Sequence, residues 1–247
     1  MKKIFYWIPT ILFYICFGLT LGFFHVLQLI ALKIGYQAHK KVVDGMIWSI
    51  NICLLLVGAR RKIKNLAGDL PSDRPMIIVS NHQSMFDIPA IGGLLQKHHP
   101  KYISKKSLAK GIPGVSINIR RGGSAVIDRR DKEGAIKAID NFCQYLNENN
   151  YAGCIFPEGT RSKDGSLAGF RVGGLKHMIE AMPNATIVPV VLGHFWKIGR
   201  YNMAPIPFGI PLRCTILPAV ERTHKDTLQL ITEIEEQIKQ QLAADQK

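Results

Sequence analysis

Residues 80–89 read SNHQSMFDIP and lie where an apolar run, MIIVS, gives way to a helix-like segment, AIGGLLQ. His82 and Asp87 are five positions apart, which on a regular helix would turn their side chains about 140° away from each other. They can meet only if His82 lies in a turn before the helix. The stretch therefore predicts a strand–turn–helix junction carrying a histidine–carboxylate pair. The alternative is an ordinary helix cap, with Ser84 and Asp87 as a capping box or Asp87 as the N-cap.

The segments downstream of residue 70 alternate between strand-like and helix-like patterns. The strand candidates are 76–80, 102–104, 125–128, 153–156, 186–192 and 212–217, and the helix candidates are 88–97, 132–148, 171–182 and an amphipathic tail at 224–244. This alternation predicts an α/β domain with a largely parallel sheet flanked by helices. We place that domain at residues 65–247. The tail is expected to pack on its surface, or less simply to bind a partner helix.

The N-terminal region, residues 1–64, is predicted to be a membrane-associated helical segment. Residues 4–32 contain no charged side chain, and about 20 apolar residues suffice to span a bilayer. The run is too long for the apolar part of a signal peptide, and no small-residue cleavage site follows it. A second apolar stretch, 45–59, is short for a span. Two arrangements fit: one span with a buried core helix, or a hairpin that enters one leaflet.

The net charge of +14 indicates an anionic partner. Basic residues flank the apolar segments, as expected for a protein that contacts phospholipid headgroups. A nucleic-acid partner would explain the charge but not the apolar N-terminus. The five cysteines form no CxxC pair and are odd in number, which argues against a zinc site and against a disulfide scaffold. Their apolar surroundings favour a reducing compartment.

A second motif, IFPEGTRS at residues 155–162, predicts a polar loop after a strand. Gly159 would let a ligand approach the backbone closely, and the Arg161 guanidinium suits a phosphate group. Ligands bind at the carboxyl ends of strands in such sheets, although a plain surface turn has similar composition. Cations that could surround a phosphate follow other predicted strands: Lys105, Lys106, Lys110, Arg129 and Arg130. Pro189, inside IVPVVL, predicts an edge strand or a bulge.

The motifs NHQSMFD, KKSL with the IPG and IDR that follow it, FPEGTRS and IVPV occur in that order within residues 60–220. This order resembles the four sequence blocks of the glycerolipid acyltransferase family. The resemblance implies that His82 is a general base and Asp87 its partner. It assigns the acceptor's phosphate end to Lys105, Arg129, Glu158, Gly159 and Arg161, and acyl-donor binding or pocket shape to Pro189. The basic, glycine-rich SINIRRGGSA departs from the family pattern, so Arg120 and Arg121 compete with Arg129 for its role.

The resemblance also implies a reaction. A fatty acyl group would pass from acyl-CoA or an acyl carrier protein to the sn-2 hydroxyl of 1-acyl-glycerol-3-phosphate (lysophosphatidic acid), giving phosphatidic acid for phospholipid biosynthesis. It implies no cofactor and no metal. The expected location is a bacterial inner membrane, with the catalytic domain facing the cytoplasm. The chain contains no GxSxG motif, as expected if the acceptor supplies the attacking hydroxyl.

Two other functions remain open at this point. A sibling acyltransferase acting on glycerol-3-phosphate or another lysophospholipid would share the same four blocks. A non-catalytic membrane protein could bind phospholipid through its basic face, and it would not need the imidazole of His82.

Overall fold

The computed structural model describes residues 2–128, 130–222 and 226–246, and within them seven strands form one sheet between two helical layers. The strands are β1 (Arg60–Asn65), β2 (Met76–Ser80), β3 (Lys101–Lys105), β4 (Ala125–Ile127), β5 (Ala152–Ile155), β6 (Thr186–Gly193) and β7 (Pro211–Ile216). The helices are α1 (Lys2–Phe5), α2 (Trp7–Ile34), α3 (Tyr36–Cys53), α4 (Asp87–Leu94), α5 (Val115–Arg121), α6 (Lys132–Asn149), α7 (Val172–Ala181) and α8 (Thr227–Gln246).

The strands are hydrogen-bonded in the order β1-β7-β6-β2-β5-β3-β4. Strands β2 to β6 are parallel, whereas β7 is antiparallel to β6 and β1 runs parallel to β7. The predicted α/β fold with a largely parallel sheet is therefore confirmed. Every residue of β2 is buried, because helices cover both faces of the central strands.

The two faces of the sheet pack against different helices. Ile78 and Val188 lie in a core with residues of α2, α3 and α4. Ile77 and Val79 lie in a second core with residues of α6, α7 and α8. Successive side chains of a strand point to opposite faces, so the uninterrupted apolar runs of β2 and β6 supply both cores.

Two elements were not predicted from the sequence, β1 and α5. The β1 segment, RRKIKN, is exposed at every position, and it forms a strand because it pairs with β7 along its whole length. A strongly charged edge strand also resists pairing with other chains. The sheet consequently begins at Arg60, before the domain boundary that the sequence placed at residue 65.

Pro189 lies in a central strand, so the predicted edge strand is wrong, but the pairing on its β7 side is irregular as a bulge predicts. Val190 lies opposite Ile216 and Ile187 lies opposite Val220, so residues 188–189 face the three residues 217–219. Strand β6 is flanked by β7 and β2. The β6–β7 ladder begins at Val190 opposite Ile216, so Pro189 lies one residue outside it. Its carbonyl accepts a hydrogen bond from the Leu217 N–H at 3.0 Å. The missing N–H of proline therefore falls at the irregular step between these two paired positions, and the central strand tolerates it.

The two N-terminal apolar stretches form an antiparallel helical hairpin of α2 and α3. Gln28 of α2 meets His39 of α3 near the turn, and Thr20 meets Cys53 farther along. One helix of the described chain, Lys3–Ile34, is long and apolar enough to cross a membrane. Its exposed apolar side chains include Ile8, Ile11, Leu12, Ile15, Leu19, Phe23, Val26, Leu29, Ile30 and Ile34.

Helix α2 also contacts the α/β domain along its length. Thr10 accepts a hydrogen bond from the Ile206 N–H, the Phe13 ring packs on Phe86, and the Gln28 amide donates to the Gly114 carbonyl at 3.0 Å. The helix thus lies against the domain instead of projecting away from it. Which of the two predicted membrane arrangements the hairpin adopts stays a prediction.

Helix α8 packs on the domain through its apolar stripe. Its buried side chains, Leu230, Ile231, Ile234, Ile238 and Leu242, belong to the core shared with α6 and α7. The structure describes this helix from Thr227, and the predicted start at 224 lies outside the described residues. The apolar stripe of α8 therefore packs against the domain of the same chain, which confirms the simpler of the two predictions.

We expect Ile234→Ala to lower the free energy of unfolding by about 2–5 kcal/mol, because it leaves a cavity in a fully buried site. The matched control is Leu228→Ala on the same helix, where the side chain is 53% exposed. This control should change the free energy by no more than about 0.5 kcal/mol. Denaturant titration measures both, and equal effects would contradict the packing of α8.

Candidate active site

The candidate site lies at the carboxyl edge of the parallel strands. The segments containing His82 and Glu158 follow β2 and β5, which are adjacent strands, and Lys105 ends β3 on the far side of β5. Parallel strands bring these ends to one edge of the sheet. The topology thus gathers motifs that are far apart in the sequence.

His82 and Asp87 form the predicted pair. Nδ1 of His82 lies 2.7 Å from Oδ2 of Asp87, with His82 in the turn and Asp87 the first residue of α4. The same Oδ2 accepts hydrogen bonds from the backbone N–H groups of Gln83 at 2.6 Å and Ser84 at 2.8 Å. The predicted contact between Ser84 and Asp87 is present, but it is not a helix cap, because Ser84 lies before the N-cap and no side-chain hydrogen bond caps α4. Phe86 is the N-cap, not Asp87.

These hydrogen bonds determine which nitrogen of the neutral His82 ring carries the proton. Because Oδ2 of Asp87 already accepts two N–H bonds, Nδ1 of His82 is a donor, and in the neutral ring Nε2 carries the lone pair. Nε2 has no hydrogen-bond partner among residues 2–128, 130–222 and 226–246. The ring stacks on Phe156 with centroids 4.3 Å apart. The side chain is 19% exposed, so Nε2 is held in place and available as a base.

Burial raises the pKa of Asp87, while the hydrogen bonds from His82, Ser84 and Gln83 act in the opposite direction. The side chain is completely buried, and its Oδ1 has no partner among the described residues. A carboxylate in such surroundings is stabilised most when the adjacent imidazole becomes positively charged. The pair is therefore suited to a His82 that gains a proton during a reaction.

The loop at residues 156–162, which we call the FPEGTRS loop, holds both backbone groups of His82. The His82 N–H donates to Oε1 of Glu158 at 2.6 Å, and the His82 carbonyl accepts from the Ser162 N–H at 2.8 Å. Oε2 of Glu158 accepts from the Ala168 N–H at 2.8 Å. The two motifs are thus joined by direct hydrogen bonds, and the loop positions the histidine.

Glu158 has a positioning role in place of the predicted contact with phosphate. It is 3% exposed, burial raises its pKa, and both of its oxygens accept backbone hydrogen bonds. A buried carboxylate with no free oxygen repels an anion and offers it no donor. The sequence could not show this, because the partners of Glu158 come from two distant segments.

Two arginines lie at the FPEGTRS loop. Arg161 is exposed, as a phosphate ligand requires. Arg171, which the sequence did not single out, folds its side chain over Gly159. A β-carbon at Gly159 would lie 3.3 Å from Cδ and 3.4 Å from Nε of Arg171. The backbone N–H of Arg171 donates to the Pro157 carbonyl at 2.9 Å. No motif contains Arg171, so only the folding of the loop reveals it.

The remaining predicted phosphate ligands are Lys105 and Arg129, with Arg120 and Arg121 as competitors of Arg129. Lys105 is exposed at the end of β3, and its contact with phosphate stays a prediction. Arg129 lies outside the described residues. Of its competitors, Arg120 donates to the Ala109 carbonyl, which gives it a structural partner, and Arg121 is exposed.

Pro189 is not brought to the site. The register pairs it with Val79, whose side chain lies in the core shared with α6, α7 and α8. That core is on the opposite face of the sheet from α2, α3 and α4. The structure therefore contradicts the predicted contribution of Pro189 to a pocket, since strand periodicity turns its ring away.

Two residues beside His82 anchor the site to β6 and to neighbouring loops. The Asn81 side chain both donates to the Leu192 carbonyl and accepts from the Leu192 N–H, each at 2.8 Å. Gln83 donates to the Gly165 carbonyl and accepts from the Trp196 N–H, each at 3.4 Å. Because both residues adjoin His82 in the sequence, they could have been chosen as candidate site residues. Their hydrogen-bond partners could not be inferred, since these lie in distant segments.

An apolar cavity of about 190 Å³ lies next to α4, and its lining includes Met85 and Phe86, the two residues before Asp87. It runs between the hairpin on one side and α4, β3 and α5 on the other. Its lining includes Phe17, Leu21, Val43, Ile47, Met85, Phe86, Ile88 and Ile119. The far end is polar: the Lys101 ammonium donates to the Tyr36 hydroxyl at 3.0 Å, and burial lowers the pKa of Lys101 to about 8. The cavity can hold a slender apolar group.

The sequence profile of the acyltransferase family matches residues 62–193, which is more than half of the chain. The chain belongs to the acyltransferase family. The matched region contains the histidine pair and the FPEGTRS loop.

Relatives within the family carry a common name. A 1-acyl-sn-glycerol-3-phosphate acyltransferase alpha from Ovis aries is 29% identical over a region covering 57% of this chain and 47% of that protein. The corresponding Mus musculus protein is 28% identical over 67% of this chain and 56% of its own length. The chloroplastic enzyme BAT2 of Brassica napus is 35% identical over 53% and 36%. The chain therefore matches about half or less of the length of most of these relatives.

A solved structure shares the fold. The 1-acyl-sn-glycerophosphate (LPA) acyltransferase PlsC from Thermotoga maritima superposes with a TM-score of 0.80, covering 99% of this chain and 97% of that one. The identity is 22%, so the likeness concerns architecture. It includes the α/β domain together with the N-terminal hairpin, because almost the whole of both chains is covered.

The described residues contain no group of three or more histidine, cysteine, aspartate or glutamate side chains that could hold a metal ion.

We expect Glu158→Gln to lower the free energy of unfolding by about 1–3 kcal/mol, because its amide group leaves one buried N–H, of His82 or Ala168, facing another donor. The exposed Glu148→Gln on α6 is the control and should change little. Thermal and denaturant unfolding measure both. A neutral Glu158→Gln would show that the clamp on His82 contributes nothing.

We expect Gly159→Ala to destabilise the fold by roughly 1–2 kcal/mol, because residue 159 has φ +69° and left-handed geometry disfavours a β-carbon. The new methyl group would also press on Arg171. Gly169→Ala, in the same connecting segment and with open space around it, should be nearly neutral. Loss of stability in the control alone would refute the conformational argument.

Proposed function

We propose that this protein transfers a fatty acyl group from an acyl thioester to the sn-2 hydroxyl of 1-acyl-glycerol-3-phosphate. The observation that carries the proposal is Nε2 of His82, oriented by Asp87 and left without a protein partner. The backbone of His82 is hydrogen-bonded to the loop that carries the exposed Arg161, and the apolar cavity is lined by Met85 and Phe86 of the same turn. This combination suits an acceptor that has an alkyl chain, a hydroxyl and a phosphate.

In the proposed reaction, Nε2 of His82 removes the proton of the acceptor hydroxyl as its oxygen attacks the thioester carbonyl. A C–O bond forms and the tetrahedral intermediate then expels the thiolate by breaking the C–S bond. The proton on Nε2 passes to the leaving thiolate, which restores the neutral imidazole. Asp87 keeps the proton on Nδ1 throughout and stabilises the transient imidazolium.

The cations supply the positioning. Arg161, with Lys105 as a proposed second contact, would bind the phosphate and so place the hydroxyl beside His82. Holding two reactants in the correct geometry can contribute roughly 7–11 kcal/mol to lowering a barrier. Glu158 supports this indirectly, since it fixes the backbone of His82 to the same loop that carries Arg161.

The hairpin and cavity support a lipid substrate at a membrane. The apolar outer face of α2 would enter one leaflet, and the cavity that opens beside Met85 would receive an alkyl chain. Five unpaired cysteine thiols are consistent with the proposed cytoplasmic side of a bacterial inner membrane. The soluble donor, acyl-CoA or acyl carrier protein, would approach from water. The names of the sheep, mouse and Brassica relatives point to the same acceptor.

We expect His82→Ala to lower kcat by about 10²–10⁴-fold, the usual contribution of a general base, with the fold retained. The assay follows transfer of a labelled acyl group from acyl-CoA to lysophosphatidate by purified protein in detergent or vesicles. The control is His177→Ala, whose imidazole pairs with Asp140 on the surface and should leave kcat unchanged.

The same assay separates the candidate functions. Parallel reactions with glycerol-3-phosphate and with a lysophospholipid bearing a larger headgroup should be much slower than with lysophosphatidate. Preference for either would replace our acceptor with that of a sibling enzyme. Full lysophosphatidate turnover by His82→Ala would rule out the base, and no turnover by the wild type with any acceptor would favour a lipid-binding protein.

A further inference from the structure

We propose that Arg171 is a second guanidinium ligand of the acceptor's phosphate, acting together with Arg161 on the two sides of Gly159. This inference rests on the proposed function and adds a binding residue to the same site. It concerns the phosphate end of the acceptor and makes no claim about the acyl donor.

The first argument is geometric. The side chain of Arg171 lies across Gly159, and its Cδ, Nε and one terminal nitrogen are all 3.3–3.4 Å from the position of an added β-carbon. Arg161 is two residues from Gly159 in the same loop. Gly159 has no side chain to separate them, so both guanidinium groups originate from one short stretch of surface.

The second argument is that the backbone of Arg171 is fixed. Its N–H donates to the Pro157 carbonyl at 2.9 Å, directly beside Glu158. The preceding residue, Phe170, donates its N–H to Glu235 of α8 at 3.3 Å. Arg171 is therefore attached to the loop that clamps His82, and a phosphate bound to it would have a defined position relative to the base.

The third argument concerns charge. Arg161 and Arg171 are both exposed, and neither forms an ion pair within the described part of the chain. The one carboxylate of the FPEGTRS loop, Glu158, points inward to backbone N–H groups. Both guanidinium groups are therefore exposed and form no ion pair within the described residues. A phosphate monoester carries close to two negative charges and accepts forked hydrogen bonds from such groups.

A purely structural role for Arg171 is the main alternative. Its aliphatic stem could cover Gly159 and stabilise the loop, in which case its charge would be irrelevant. The two roles differ in what they predict. A phosphate ligand matters only when the acceptor has a phosphate, whereas a packing residue affects every acceptor equally.

The test compares Arg171→Ala, Arg171→Gln and Arg171→Lys with wild type, using lysophosphatidate and the phosphate-free 1-monoacylglycerol as acceptors. We expect Arg171→Ala and Arg171→Gln to raise KM for lysophosphatidate by about 10–100-fold, as for loss of a charge-assisted hydrogen bond, with kcat within about threefold of wild type. Arg171→Lys should recover part of the loss. The slow reaction with monoacylglycerol should be unaffected.

The control is Lys163→Ala, which removes another exposed cation close to the loop and should leave KM unchanged. Arg161→Ala serves as the comparison for a predicted ligand. An unchanged KM in Arg171→Gln would overturn the proposal. An equal loss with both acceptors would overturn it as well, because it would show a packing role.

A binding measurement separates this proposal from the proposed function. Calorimetric titration with glycerol-3-phosphate requires no turnover, and we expect Arg171→Gln to weaken binding by about 10-fold or more. If the wild type binds this probe but acylates no lysophosphatidate, the proposed function fails and the Arg171 proposal stands on the binding difference. Equal binding by wild type and Arg171→Gln, or no binding by the wild type, would overturn it.

Discussion

The three hydrogen bonds accepted by Oδ2 of Asp87 determine the geometry of the site. They come from the His82 ring and from the backbone N–H groups of Gln83 and Ser84. The buried carboxylate thereby shapes the turn after β2 and orients the imidazole with one atom.

A second buried carboxylate extends this arrangement to another strand. Glu158 binds the His82 N–H, and the Ser162 N–H binds the His82 carbonyl. Adjacent parallel strands make this possible, because β2 and β5 end at the same edge. Within the FPEGTRS loop, Glu158 therefore faces inward and binds the backbone of His82, whereas Arg161 faces outward to solvent.

The hairpin is part of this architecture because it lines one side of the cavity that Met85 and Phe86 line on the other. The Phe13 and Phe17 rings of α2 pack on Phe86, the residue before Asp87. The surface of α2 that faces away from the domain is apolar and exposed. An exposed apolar helix thus contacts the turn that holds the histidine pair.

Local patterns were sufficient for much of the fold and for the pairing of His82 with Asp87. Six strands follow from β-branched runs, and the apolar stripe of α8 follows from helical spacing, because burial imposes a period on the sequence. The spacing of His82 and Asp87 predicted their contact. Strand β1 was missed because four of its six residues are charged and its sequence has no periodic pattern of apolar residues.

The sequence alone determined which chemical groups this protein has, and the tertiary structure decided what each of them faces. Residue type fixes whether a side chain can accept a proton or carry charge, so His82 and Arg161 could be chosen from the motifs. The inward turn of Glu158, the position of Arg171 over Gly159 and the placement of Pro189 on the opposite face depend on strand order and register. These are set by contacts between segments far apart in the chain, which no local pattern records.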